Sequence, residues 1–114
     1  MNLPCPSCGF ETIGEDAYGT YGICGICDWE DDQVQLANPF SSGGANSLSL
    51  YDSQIKALKN YPLEVKEVDG ISRGTRWRPL SEVDKDKFES QASGKRWPNR
   101  GIIEEHETYW AQNS

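Results

Sequence analysis

No stretch of this 114-residue chain approaches the roughly 20 consecutive apolar residues that cross a membrane. The first residues, Met1-Asn2-Leu3-Pro4, lack the basic and apolar segments of a secretory leader. A cytoplasmic, water-soluble protein is therefore expected. Histidine occurs once, as His106, and Trp110 stands one helical turn later, which excludes an H-E-x-x-H metal site. No G-x-S-x-G turn, phosphate-binding loop or Gly-rich dinucleotide turn occurs either, and Gly43-Gly44 lacks the Lys-Ser/Thr that a phosphate cradle needs. No catalytic residues are expected. Apolar content is also low, at 36 % with a mean hydropathy of −0.70. So lean a chain needs a staple besides its core. Basic residues are the scarcer charge, 11 against 18 acidic, giving a net charge of −7. That surface repels phosphate backbones and anionic lipid, which argues against nucleic acid or a membrane as the main partner and favours a basic one.

What the chain has is cysteine, confined to its first quarter. Cys5-Pro6-Ser7-Cys8-Gly9 and Cys24-Gly25-Ile26-Cys27 are two C-x2-C pairs separated by residues 9 to 23. Two thiolates three residues apart on a tight turn can face one ion about 2.3 Å away, and two such turns complete a tetrahedron. Pro6 pre-sets the first turn, and Gly9 frees the backbone beside it. The spacer, Phe10 to Ile23, reads as a hairpin with a wide loop around Gly14-Glu15-Asp16. In a reducing compartment this pattern predicts a structural zinc site of Cys5, Cys8, Cys24 and Cys27 rather than two disulfides. The same four thiolates also suit iron, as in rubredoxin. With four protein ligands the coordination shell is closed, so the metal is structural, and zinc is the missing staple. Four thiolates and one dication take the folded charge to about −9.

Directly behind the second pair lies Asp28-Trp29-Glu30-Asp31-Asp32-Gln33, four acids around one tryptophan. Ser49 and Asp52 form a capping-box pattern for a helix over about 50–60, with Leu50, Ile55 and Leu58 as its apolar stripe and Pro62 beyond its end. After Pro62 the character changes. Residues 1–62 hold eight acids and two bases; residues 63–114 hold ten acids, nine bases and no cysteine. Leu63 to Val68 alternates apolar and charged residues, as a half-exposed strand does, and Asp69-Gly70 turns it. Ser81-x-x-Asp84 opens a second helix carrying Val83 and Phe88, which Ser93-Gly94 ends, and Gly101 opens a last helical stretch with Ile102, Ile103, Tyr109 and Trp110. The expected fold is small α+β: a four-cysteine zinc ribbon with rubredoxin-like knuckles, then a helix, then a mixed strand/helix C-terminal half. The division is a module at 1–62 with an extension at 63–114 packed on it.

The order Pro4-Cys5-Pro6-Ser7-Cys8-Gly9-Phe10, Tyr21-Gly22-Ile23-Cys24, Cys27-Asp28-Trp29-Glu30-Asp31-Asp32-Gln33 and Gly43-Gly44-Ala45-Asn46, followed by a helix from Ser49-Leu50, resembles the bacterial cysteine-rich CPCC domain family. Two positions depart from its pattern: Ser7 replaces a second adjacent cysteine, and Gly25 stands where proline is usual. The resemblance implies a small metal-binding domain that often serves as the immunity partner of a bacterial toxin. It implies no catalytic residues.

On that footing the leading expectation is an immunity protein that occludes a basic, nuclease-type toxin domain. The candidate contacts are Trp29, Glu30, Asp31 and Asp32 in the acidic segment, and Trp77, Glu104, Glu105 and Trp110 in the second half. The competing expectation for Trp29 is that it packs in the core while its acids cap loops or face water. A zinc-ribbon adaptor or a nucleic-acid-binding module is the alternative function. Arg73, Arg76, Arg78, Lys95, Arg96 and Arg100 interleave with Trp77 and Trp97, a pattern suited to single strands. The net charge weighs against that, and these arginines are expected to pair with acids of the first half.

Overall fold

The computed structural model describes residues 2–14, 18–86 and 108–112. The last helix proposed from the sequence begins outside these residues, as do Phe88, Trp97, Glu104, Glu105 and His106.

The chain opens with two turns built on one plan. In the first, Leu3 and Ile13 bridge antiparallel, Cys5 N–H donates to Phe10 O and Gly9 N–H donates to Cys5 O, both at 2.8 Å. In the second, Ile23 and Glu30 bridge, Cys24 N–H donates to Trp29 O and Asp28 N–H donates to Cys24 O, both at 2.9 Å. Each turn thus closes on itself with the same offsets. Each places its fifth residue in the left-handed region, Gly9 at φ 83° and Asp28 at φ 67°. Each then buries an aromatic side chain, Phe10 or Trp29. The hairpin expected across the spacer is replaced by these two separate turns, because each cysteine turn meets its own backbone partners locally.

A short helix α1 (Gln33–Ala37) follows, capped by Asp32, whose Oδ1 accepts Val34 N–H at 2.8 Å. Helix α2 (Leu50–Asn60) begins at Ser49, whose Oγ accepts Asp52 N–H at 3.1 Å. Its range agrees with the capping signals, but its buried face does not follow the apolar stripe. Leu50, Gln54 and Ala57 point inward while Ile55 is exposed. A glutamine takes the central position because three partners meet there. Gln54 Nε2 donates to Pro6 O at 2.9 Å and to Tyr109 OH at 2.8 Å, and its Oε1 accepts Leu80 N–H at 2.7 Å. A buried amide with every partner in place costs little and fixes one arrangement.

Strand β1 (Glu67–Val68) and strand β2 (Ile71–Ser72) form an antiparallel pair with Glu67 opposite Ser72 and Val68 opposite Ile71. Asp69 (φ 51°) and Gly70 (φ 80°) both take positive φ, the type I′ hairpin that an Asp-Gly pair favours. The strand is shorter than the alternation predicts, because Leu63 and Glu64 turn instead. Beyond β2 the chain runs along the first cysteine turn. Glu11 N–H donates to Ser72 O at 2.8 Å, Gly74 N–H donates to Gly9 O at 2.7 Å, and Phe10 bridges Arg73. Trp77 then lies over Gly9, its Nε1–H donating to Pro6 O at 3.2 Å. Residues 82–86 are helical, opened by a reciprocal cap in which Asp84 Oδ2 accepts Ser81 N–H at 2.8 Å. Helix α3 (Tyr109–Gln112) closes the core, with Trp110 edge-on to Tyr18 at 6.0 Å between ring centres.

Arg73 stitches the later residues to the first turn. Its Nε donates to Cys8 O at 2.9 Å, its Nη1 to Pro62 O and Val65 O at 2.8 Å each, and its Nη2 to Tyr61 O at 2.9 Å. The guanidinium sits 4.3 Å from the Phe10 ring centre. For Arg73 and Arg78 the expected pairing with acids of the first half is therefore corrected, and Lys95, Arg96 and Arg100 lie outside the described residues. Arg73 reads backbone carbonyls, which its planar fork of donors matches, and Arg78 pairs with Asp84 at 2.8 Å within the second half. That ion pair holds the Asp84 carboxyl below its ordinary range. Arg73→Met keeps most of the apolar stem but removes the guanidinium donor from the carbonyls of Cys8, Tyr61 and Val65, while Pro62 O keeps the Val65 N–H. A loss of about 2–4 kcal/mol is expected, read as a lower denaturant midpoint. An unshifted midpoint would mean that water satisfies those carbonyls.

Candidate metal centre

Because both turns follow one plan, their cysteines converge. Cys5 Sγ lies 3.6 Å from Cys27 Sγ, and Cys8 Sγ lies 3.7 Å from Cys24 Sγ. All four sulfurs fall within 4.8 Å of one another. A tetrahedron with metal–sulfur bonds of about 2.3 Å has edges of about 3.8 Å. The Cys5–Cys27 and Cys8–Cys24 separations match such an edge, and these sulfurs are too far apart for disulfides, which need about 2.05 Å. The four cysteines are free and close enough to bind a metal ion. Cys5, Cys8 and Cys24 are buried and Cys27 is half-buried.

The polar surroundings of Cys24 favour its thiolate. Thr12 Oγ1 donates to Cys24 Sγ at 3.1 Å, and Ile26 N–H donates to the same sulfur at 3.4 Å. Such outer hydrogen bonds orient ligands and tune their basicity. Burial pushes the Cys5 thiol well above its ordinary range. Cys24, accepting from Cys27, Cys5 and Cys8 and then from Thr12, is drawn down. Four thiolates this close repel one another, and a divalent cation reverses that balance. The donor set therefore fits a thiophilic ion, with all four positions filled by protein. Ser7 is buried in the first turn, and the four cysteines supply a full set without it.

The acidic segment behind the second turn follows the competing expectation, with a packed tryptophan, two capping acids and Asp28 facing water. Trp29 is buried in the core. Asp31 is fully buried, and its Oδ2 accepts Gly19 N–H, Thr20 N–H and Thr20 Oγ1, each at 2.9 Å. Asp32 caps α1 and accepts Ala45 N–H at 3.0 Å. Glu30 is half-buried, its backbone paired on both sides with the Asn46 side-chain amide at 2.9 Å. Trp77 and Trp110 are also buried. Among the sequence candidates for partner contact within the described residues, only Glu30 keeps part of its side chain exposed. The acids turned inward because backbone N–H groups of the 19–20 and 34–45 segments need acceptors there.

Gly43-Gly44-Ala45-Asn46 finds its role in the same network. A Cβ on Gly44 would stand 2.7 Å from Asp32 Oδ2 and 2.9 Å from Gln35 side-chain atoms. Gln35, itself buried, donates to the carbonyls of Ser41, Asn46 and Leu48 and accepts Asn46 N–H at 3.0 Å. This loop and the second turn are thereby held as one unit. Asn46, Gln35 and Thr12 carry no signal in one sequence beyond being polar. Their partners lie about a dozen residues away, which spacing alone does not disclose.

Tyr21 stands in the family pattern, and its backbone geometry gives it a role that the pattern does not disclose. Its N–H donates to Asp31 O at 3.0 Å, while Asp31 N–H donates to Gly22 O at 2.9 Å. Tyr21 and Gly22 thus face one residue, a β-bulge, and Tyr21 occupies the left-handed position (φ 61°) where glycine is usual. For a tyrosine that conformation costs on the order of 1 kcal/mol.

A model of the family described as Cysteine-rich CPCC matches residues 3–62. No curated protein matches the chain. That span holds all four cysteines, both turns, α1 and α2, and it is more than half of the 114 residues. The chain belongs to the cysteine-rich CPCC family.

Proposed function

We propose that the four cysteines hold a structural zinc ion in a ribbon-like pair of knuckles, and that the protein binds and neutralises a cognate bacterial toxin domain in the cytoplasm by covering its active site. The closed set of four sulfurs, all within 4.8 Å of one another, carries the first part. It leaves no position for water or substrate, so the ion supports the fold and the work is done by the protein surface. Four thiolates suit zinc and iron alike. Metal analysis decides: one zinc per chain and a colourless protein are expected, and the visible absorption of an iron–thiolate site would correct the metal.

The second part rests on charge and on family context. Exposed carboxylates at Asp28, Asp52, Glu64, Glu67, Asp69 and Asp86 lie along the described surface, within a chain of net charge −7. Such a surface attracts the basic cleft of a nuclease-type toxin, speeds encounter and replaces the phosphates that the cleft would otherwise bind. The nucleic-acid reading has less support, since Arg73 and Arg78 are engaged within the protein.

Co-expression tests the proposal. The C-terminal domain encoded immediately upstream is expressed with and without this chain, and survivors are counted. Toxicity relieved by this protein is the expected result. Toxicity that persists rejects that domain as its target, and a zinc-ribbon adaptor becomes the better reading.

A further inference from the structure

The second knuckle displays two large apolar side chains in water. Tyr21 is 59 % exposed and Ile23 is 66 % exposed, two residues apart on the strand that leads into Cys24. Neither exposure is a by-product of a relaxed loop. Asp31, fully buried, accepts three hydrogen bonds from Gly19 and Thr20, and those bonds fix the turn that delivers Tyr21. The bulge then sets Tyr21 in a conformation that tyrosine rarely adopts, next to a glycine that would accept it freely. A bulge that re-aims one side chain, held by a buried carboxylate, is the kind of local strain found at working surfaces.

We infer that Tyr21 and Ile23 form the apolar centre of the toxin-contacting surface, entering a hydrophobic depression rimmed by lysine or arginine on the toxin domain. The inference rests on the immunity reading above and names the face that performs it. Charge complementarity selects this occupant. Glu30 lies cross-strand from Ile23, and Asp28 is exposed at the tip of the same hairpin, so carboxylates flank the apolar pair. A rigid aromatic ringed by polar groups is the usual anatomy of a binding hot spot. The metal contributes by rigidity: Cys24 follows Ile23 directly, so the ligand cluster anchors the strand that carries both side chains.

The bulge allows a test in which stability and binding move differently. Tyr21→Gly removes the ring and suits the left-handed backbone, and Ile23→Thr keeps the β-branch while removing apolar surface. Each variant of the full chain is titrated by calorimetry with an active-site-inactivated form of the C-terminal domain encoded upstream, and melting curves are recorded alongside. The expected result is a melting temperature equal to or above the parent's for Tyr21→Gly, with affinity weakened on the order of tenfold or more for each variant. Unchanged affinity in both variants would overturn the inference while leaving the immunity reading intact. A lower melting temperature with unchanged affinity would assign Tyr21 to the fold and also overturn it. Failure of the parent protein to bind that domain rejects the immunity reading and this contact with it. Sedimentation of the protein alone closes the remaining route: self-association lost in both variants would assign the face to a second copy of the chain.

Discussion

Replacing Cys24 with serine is expected to release the metal and abolish the cooperative melting transition. Cys24 is the buried ligand with the most outer support, accepting from Thr12 Oγ1 and Ile26 N–H. A serine hydroxyl is a poor ligand for a thiophilic ion, and it would leave three thiolates without enough counter-charge. Structural zinc contributes about 10–16 kcal/mol at neutral pH, comparable with or larger than the roughly 5–15 kcal/mol that separates a folded domain from its unfolded chain. A chain with 36 % apolar residues has little margin to replace it. Circular dichroism melting and metal content per chain give the readout. A Cys24→Ser protein that melts like its parent would sink the structural role of the metal.

The second large effect is expected from a single methyl group. Gly9→Ala places a Cβ 2.6 Å from Trp77 Cδ2 and 2.9 Å from Cζ3, against a buried indole. It does so at φ 83°, where an L side chain is already strained. Overpacking and backbone strain together are expected to cost about 3 kcal/mol, seen as a lower denaturant midpoint. The matching position of the second knuckle is the control. Asp28 holds the same backbone conformation and is exposed, so Asp28→Gly relieves strain without changing packing. It should be neutral or stabilising by up to about 1 kcal/mol. Equal destabilisation by both substitutions would refute the account of the two knuckles as one plan carrying different loads.

That difference in load marks where reading the sequence stops. The cysteine pairs, the Ser49 cap of α2, the Asp69-Gly70 hairpin and the Ser81/Asp84 cap were all legible. Each depends on atoms within about five residues along the chain, where bond geometry limits what residue types can do. The four clustered cysteines belong to this class, since C-x2-C sets two sulfurs on one turn whatever surrounds it. What covers the first knuckle was not legible. The tryptophan over Gly9 comes from 68 positions later (Trp77), and the fork that binds Cys8 O comes from 65 positions later (Arg73).

The amino-acid order by itself determined the two knuckles, their four sulfurs, the extent of α2 and an acidic surplus that argues against nucleic acid. Tertiary structure alone decided which acids are surface. In sequence Asp31 and Asp32 suit a contact patch and a pair of loop caps equally, and in the fold both carboxylates turn inward to distant backbone N–H groups, while Gln54 displaces Ile55 from the buried face of α2. A carboxylate or amide is indifferent in sequence to whether its partner is water or protein. Burial selects the protein partner once folding removes the water, because an unpaired buried donor or acceptor costs more than any propensity along the chain supplies. By the same rule Tyr21, unremarkable as a letter, is held out in solvent by hydrogen bonds that begin ten residues away.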